Sequence, residues 1–294
     1  DALTDGTENT AIGYKALTSN VSGNKNTAVG YRALEDSNED TENWNTAIGY
    51  GACLNLSTAI KTTALGADAI GGGVTTGDSN TAIGQSAGYA LTSGSDNTLV
   101  GVNAGVGLTT GIDNTVLGAG ALDAAVDDES YNVAIGNAAM GACDQGSHAN
   151  ADIDKNVAIG NSALFGGDFG SSAKNLTENV VLGYGAMAGT GTIGGNNNIF
   201  MGKDAGGGTW ATAESNYNVG IGHSAMTGAM NDADYNTAVG NSALTALTTG
   251  DQNVAIGNQA MDALQGGHRN VAIGNGAMSA AANDELDNVM IGNN

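Results

Sequence analysis

The chain lacks proline altogether and has two Cys, three Phe and two Trp in 294 residues, with eight Lys and Arg against thirty Asp and Glu. Each shortage closes off a class. So few bulky aromatics argue against one large globular core, which draws much of its buried area from them. With no proline and no three-residue glycine period, the 48 glycines are not those of a collagen helix. A formal charge of −22 leaves no cluster of cations for phosphates, so no nucleic-acid partner is expected. No apolar run reaches the ~18 residues of a membrane-spanning helix.

A repeat takes the place of these features. Asn9-Thr10-Ala11-Ile12-Gly13 returns in sixteen exact or looser copies, from Gly13 and Gly30 through Gly136 and Gly160 to Gly292. Successive glycines stand 17 to 24 residues apart, for example 13 to 30 and 136 to 160. That regularity over the whole length predicts an all-β parallel β-solenoid of about 16 coils, a single array over residues 1–294. The chain begins at a repeat and stops inside one, so it is expected to be a fragment of a longer fibre chain. Cys53 and Cys143 lie five coils apart, roughly 24 Å at ~4.8 Å per coil, too far for a disulfide. Both read as small core residues.

Aligned on its glycine, the repeat assigns a task to each column. The residue before Gly is always aliphatic, as in Ile135 and Ile159, and two residues earlier stands Thr, Val or Ile. Period two puts these columns on one strand face, expected to fill the coil. The residue between them is never polar: Ala134, Ala158, Ala255 and Ala272 are typical. Its smallness predicts an outward face packed closely on other copies of the chain. The Gly column, with Gly136 and Gly160, predicts a bend without room for a β carbon. Ala follows three residues on, as Ala139 and Ala163, and then usually Leu, Met, Cys or Ile, read as a short second strand. Gly88, Gly105 and Gly206 stand in that last column and predict a locally thinner core. Asn opens fifteen of sixteen copies, including Asn132 and Asn156, with Thr62 the exception. Stacked amides predict a hydrogen-bonded ladder.

Between the repeats lie variable loops, the expected site of recognition. Trp44, Phe165, Phe169, Trp210 and Tyr217 stand in the long ones and are candidate contacts to a cell-surface glycan or protein receptor. Acidic clusters such as Asp127–Glu129 and Asp232–Asp234 match no calcium-binding spacing, and His148, His223 and His268 are scattered over different coils. No nucleophile elbow, phosphate loop or zinc helix occurs, so neither metal, cofactor nor catalytic residue is expected.

The Val-Ala-Ile-Gly stretches at Val133–Gly136, Val157–Gly160, Val254–Gly257 and Val271–Gly274 resemble the head repeat of trimeric autotransporter adhesins. They are also similar to bacteriophage tail-fibre repeats. The resemblance covers the whole chain and implies a left-handed parallel β-roll, two short strands per coil, with three chains side by side. It implies an adhesive fibre on a bacterial surface or virion, hence an extracellular homotrimer. Two other readings are an ice- or mineral-binding solenoid and a polysaccharide-cleaving one. The first needs Thr ranks facing water, whereas the strand pattern places the Thr column inside.

Overall fold

The computed structural model describes residues 5–37, 43–125, 127–143, 152–166, 175–190, 194–210, 213–280 and 285–293. The chain divides into two compact units, Asp1–Gly141 and Ala142–Asn294. The first carries β1 (Thr10–Ile12), β2 (Thr27–Val29), β3 (Thr46–Ile48), β4 (Thr63–Leu65), β5 (Thr81–Ile83), β6 (Thr98–Val100), β7 (Thr115–Leu117) and β8 (Val133–Ile135). The second carries β9 (Val157–Ile159), β10 (Val180–Leu182), β11 (Ile199–Met201), β12 (Val219–Ile221), β13 (Thr237–Val239), β14 (Val254–Ile256), β15 (Val271–Ile273) and β16 (Val289–Ile291). Within each unit every strand pairs in parallel with its sequence neighbours, one strand per coil, which is a parallel β-solenoid. Equivalent residues face each other: Ala28 lies between Ala11 and Ala47, and Ala255 between Ala238 and Ala272.

The Gly column meets its expectation for a simple steric reason. A β carbon on Gly13 would lie 2.4 Å from the Gly30 carbonyl oxygen, and one on Gly160 equally 2.4 Å from that of Gly183. Their φ values, +133° and +141°, are closed to ordinary side chains. Asn26 shows what the Asn column does: its backbone N–H donates to Asn9 Oδ1 at 2.9 Å. Further along, both the backbone N–H and the Nδ2 of Asn97 donate to Asn80 Oδ1 at 3.1 Å. In the second unit Nδ2-to-Oδ1 bonds of 3.0–3.2 Å run unbroken from Asn179 to Asn288. Asn132 and Asn156 belong to this buried column. Thr62 interrupts it. The Thr62 hydroxyl is buried without a partner, and Asn80 turns its Nδ2 to the Gly77 and Gly94 carbonyls instead.

Opposite the sheet, the expected second strand does not form. The residues two and four after Gly adopt left-handed φ, as in Lys15 (+58°) and Leu17 (+56°), or Ser162 and Leu164 (both +51°). Such a chain cannot run straight, yet it still bonds from coil to coil. Leu17 N–H donates to Ala33 O at 3.0 Å, and Arg32 N–H donates back to Tyr14 O at 2.9 Å. Those bonds, repeated along each unit, hold residues such as Leu17 and Ile70 in a conformation costly for isolated side chains. Ala139 and Ala163 sit fully buried in the same wall, as expected.

Both units carry another side-chain ladder on the residue six before Gly. In the first, the N–H groups of Thr7, Asn24 and Ile60 donate to Asn24, Asn43 and Asp78 side chains at 2.6–3.0 Å. In the second, backbone N–H groups of Thr177, Asn196, Asn216 and Asp234 donate to Asn196, Asn216, Asp234 and Asp251 side chains at 2.6–2.9 Å. The N–H of Asp251 closes the run on His268 Nδ1 at 3.1 Å. The Asp234 carboxyl is pushed above its ordinary range, chiefly by burial, against the lowering effect of the Asn216 N–H.

Candidate functional site

The faces of the strands are reversed from expectation. In every strand from β2 to β15 the middle residue is buried and its flanks are partly or fully exposed. Ala134, Ala158, Ala255 and Ala272 are fully buried within their own coils, so they cannot form the packing surface between copies assigned to them. Ile135 is half-buried and Ile159 exposed, although that column was expected inside. Alternation reveals that neighbouring columns face opposite ways, but not which way is in. Coil width decides that. The Leu and Met of the opposite wall reach across toward the strand, and the residue beneath them is mostly Ala, with Val116 and Val181 in two coils. Where the still larger Leu99 takes the inward position, the wall gives way. Leu99 is matched by Gly88 and Gly105, whose β carbons would lie 2.8 and 3.0 Å from its methyls. These glycines therefore mark an exchange of volume between walls rather than a thinner core.

The outward face thus consists of two columns with no charge in either. In the first unit Thr10, Thr27, Thr46, Thr63, Thr81, Thr98, Thr115 and finally Val133 line one column, and Ile12, Val29, Ile48, Leu65, Ile83, Val100, Leu117 and Ile135 the other. In the second unit the first column turns aliphatic: Val157, Val180, Ile199, Val219, Val254, Val271 and Val289, with Thr237 among them. Leu117 is 49% exposed, and Ile159, Ile221, Ile256 and Ile273 are exposed as well. The Thr ranks therefore face outward, removing the ground on which an ice-binding face was set aside.

Aromatic and charged residues border this face. Immediately after the glycines, Tyr14, Tyr31 and Tyr50 stack ring on ring, with centroids 5.5 and 5.0 Å apart and planes within 19° and 9°. Beside them Glu35 accepts from Lys15 Nζ at 2.8 Å and pairs with Arg32. The Lys15 hydrogen bond, followed by that of Arg32, holds the Glu35 carboxyl below its usual range against the cost of burial. On the residue preceding Asn, Lys25 Nζ lies 4.4 Å over the Trp44 ring, and Tyr217 stacks on Tyr235 at 4.9 Å.

Trp44, Phe165 and Tyr217 are thus exposed, as a receptor contact requires. Trp210 is not. It is 2% exposed and packs edge-on to Phe200 at 6.3 Å, filling its own coil, so its candidacy is withdrawn; Phe169 falls outside the described residues. The tyrosine stack went unread because each Tyr is polar enough to pass for a solvated turn residue; its signal was the recurrence of Tyr after Gly in three successive repeats. Among the described residues no group of three His, Cys, Asp or Glu is placed to hold a metal, and no helix is long and apolar enough to cross a membrane. Both cysteines are free and buried. No protein-family model matches this sequence, and no curated protein sequence matches it.

Proposed function

We propose that the chain is part of a homotrimeric, surface-attachment fibre, in which three β-solenoids pack through their outward Thr/Val and Ile/Leu columns and present loops to a receptor. The observation that carries this reading is the uncharged two-column face. On a chain of net charge −22, acidic residues crowd the loops yet none enters these columns. Contiguous exposed apolar surface of this kind marks association in soluble proteins. The similarity of the repeat to adhesin heads and tail fibres supports left-handed winding, threefold association and an extracellular or virion setting. The reading assigns the chain no catalytic step. Trp44, Phe165 and Tyr217 are its receptor contacts, for a cell-surface glycan or protein.

Light scattering on the purified chain tests it. The expected mass is three times 28.9 kDa, falling to one chain when Ile159 and Ile256 are replaced by Glu. A native protein of single-chain mass sinks the proposal.

The outward Thr column of the first unit favours a second reading, an ice- or mineral-ordering surface. It is the weaker of the two, because the second unit replaces those hydroxyls with Val and Ile, while association uses both units alike. Inhibition of ice recrystallisation by the single chain would reverse that preference.

A further inference from the structure

The tyrosine stack of the first unit stops abruptly, and where it stops a site is left open. Tyr31, covered on both faces, is 42% exposed, whereas Tyr14 and Tyr50, each covered on one, are 66% and 58% exposed. The next coil continues the column with Ala67, whose neighbour Asp68 donates its N–H to Tyr50 O at 2.8 Å. The second face of Tyr50 therefore looks onto the space that a fourth ring would occupy, one coil spacing or ~4.8 Å away. A carboxylate stands beside it. Asp68 Oδ1 rests against Gly51, 2.6 Å from where a β carbon would be, in the column that holds Lys15, Arg32 and Gly51 in the three preceding coils. Among the described residues Asp68 makes no ion pair, unlike Glu35 two coils earlier.

An aromatic face with an unpaired carboxylate against the next residue, Gly51, suits a flat cation. We infer that the Tyr50–Ala67–Asp68 gap binds a guanidinium group, the exposed arginine side chain of a basic partner protein. Guanidinium is planar, stacks on aromatic rings and donates in parallel to a carboxylate. The acidic field of the chain draws such a partner in. The chain makes a related contact itself, with Lys25 over Trp44. This inference rests on the attachment reading and specifies the chemistry of one contact.

The test is an NMR titration of the full chain with N-acetyl-arginine amide, the citrulline analogue serving as neutral isostere. Saturable shifts of the Tyr50 ring and upfield shifts of the arginine δ-methylene are expected, with loss of both for citrulline. Ala67→Tyr fills the gap without altering net charge, so it separates this site from general attraction to an acidic surface. It should abolish the response, as should Tyr50→Ala; Asp68→Asn should weaken it. An unresponsive Tyr50 ring, equal binding of citrulline, persistence in Ala67→Tyr, or binding of a methyl glucoside instead would each overturn the inference. If the protein has a three-chain mass and adheres to cells but ignores arginine, this site alone is lost. A single-chain mass removes the fibre reading whatever arginine does.

Discussion

Gly206 lies against the ring of Phe200: a β carbon on it would fall 2.7 Å from both Cγ and Cδ1. In the next coil Gly220 is opened for the same ring, at 2.6 Å from Cδ1. Leu99 with Gly88 and Gly105 repeats the arrangement in the first unit. The core is therefore not a set of independent columns, since the volume added on the sheet side is removed from the facing wall.

That exchange can be tested by restoring the consensus in one step or two. Phe200→Ala alone should cost about 3–5 kcal/mol by leaving a cavity, and Gly206→Leu alone should clash with the ring and be destabilising too. The double variant should recover much of the loss, giving a favourable coupling. Additive losses in denaturant melts would show that the two walls do not trade volume.

Thr62 is the one break in the Asn column, and its hydroxyl is buried unpaired. Replacing it with Asn should supply an Oδ1 for Asn80 and a donor toward Asn45 Oδ1, which already takes the Thr62 N–H at 2.9 Å. A gain of about 1 kcal/mol is expected for a restored buried hydrogen bond. An unchanged or lowered melting temperature would contradict the ladder's stabilising role.

Ala158 and Ile159 are adjacent and point opposite ways, so Glu at each should fail differently. Ala158→Glu buries a charge inside the coil and should disrupt the local β structure seen by circular dichroism. Ile159→Glu should leave the coil folded and lower the mass of the assembly. Identical behaviour of the two variants would undo the assignment of faces.

Acid should act with opposite signs at Glu35 and at Asp234. The carboxyl of Glu35 titrates below its unfolded value of 4.5 because Lys15 and then Arg32 bond to the charged form. Its contribution is complete above pH 4.5 and is lost as the pH falls through the folded value. Asp234 is raised above 3.8, chiefly by burial, so its folded form is favoured at low pH and loses ground as the pH rises through the folded value. Glu35→Gln should therefore flatten the acid limb, and Asp234→Asn should raise the melting temperature near pH 7 while keeping an acceptor for the Asn216 N–H. Melts across pH that show neither change would refute both assignments.

The Cys53 thiol is pushed up to about 12 by burial, so almost no thiolate is available near neutral pH. Thiol reagents should leave Cys53 unmodified in the native protein and react after unfolding. Rapid labelling without unfolding would show that the third coil opens.

Much of the fold was legible because every coil repeats the same local problem. Glycine where a carbonyl of the next coil passes, and Asn where an amide must bridge coils, are demands of backbone and hydrogen-bond geometry that recur in the primary structure. Candidate contacts fared unevenly for the same reason. Trp44 and Trp210 both stand in variable segments, and nothing in their neighbours tells that one lies under a lysine while the other turns inward to meet Phe200.

From the sequence alone come the period, the parallel stacking in register, the Asn ladder and the Gly bend, all set by residues that must be identical for successive backbones to lie against each other. Only the tertiary structure decided which side of the strand is the inside. Both sides are apolar, so alternation has no sign until the width of the coil and the reach of the opposite wall are known. That width puts Ala within and leaves Thr, Val and Ile facing out.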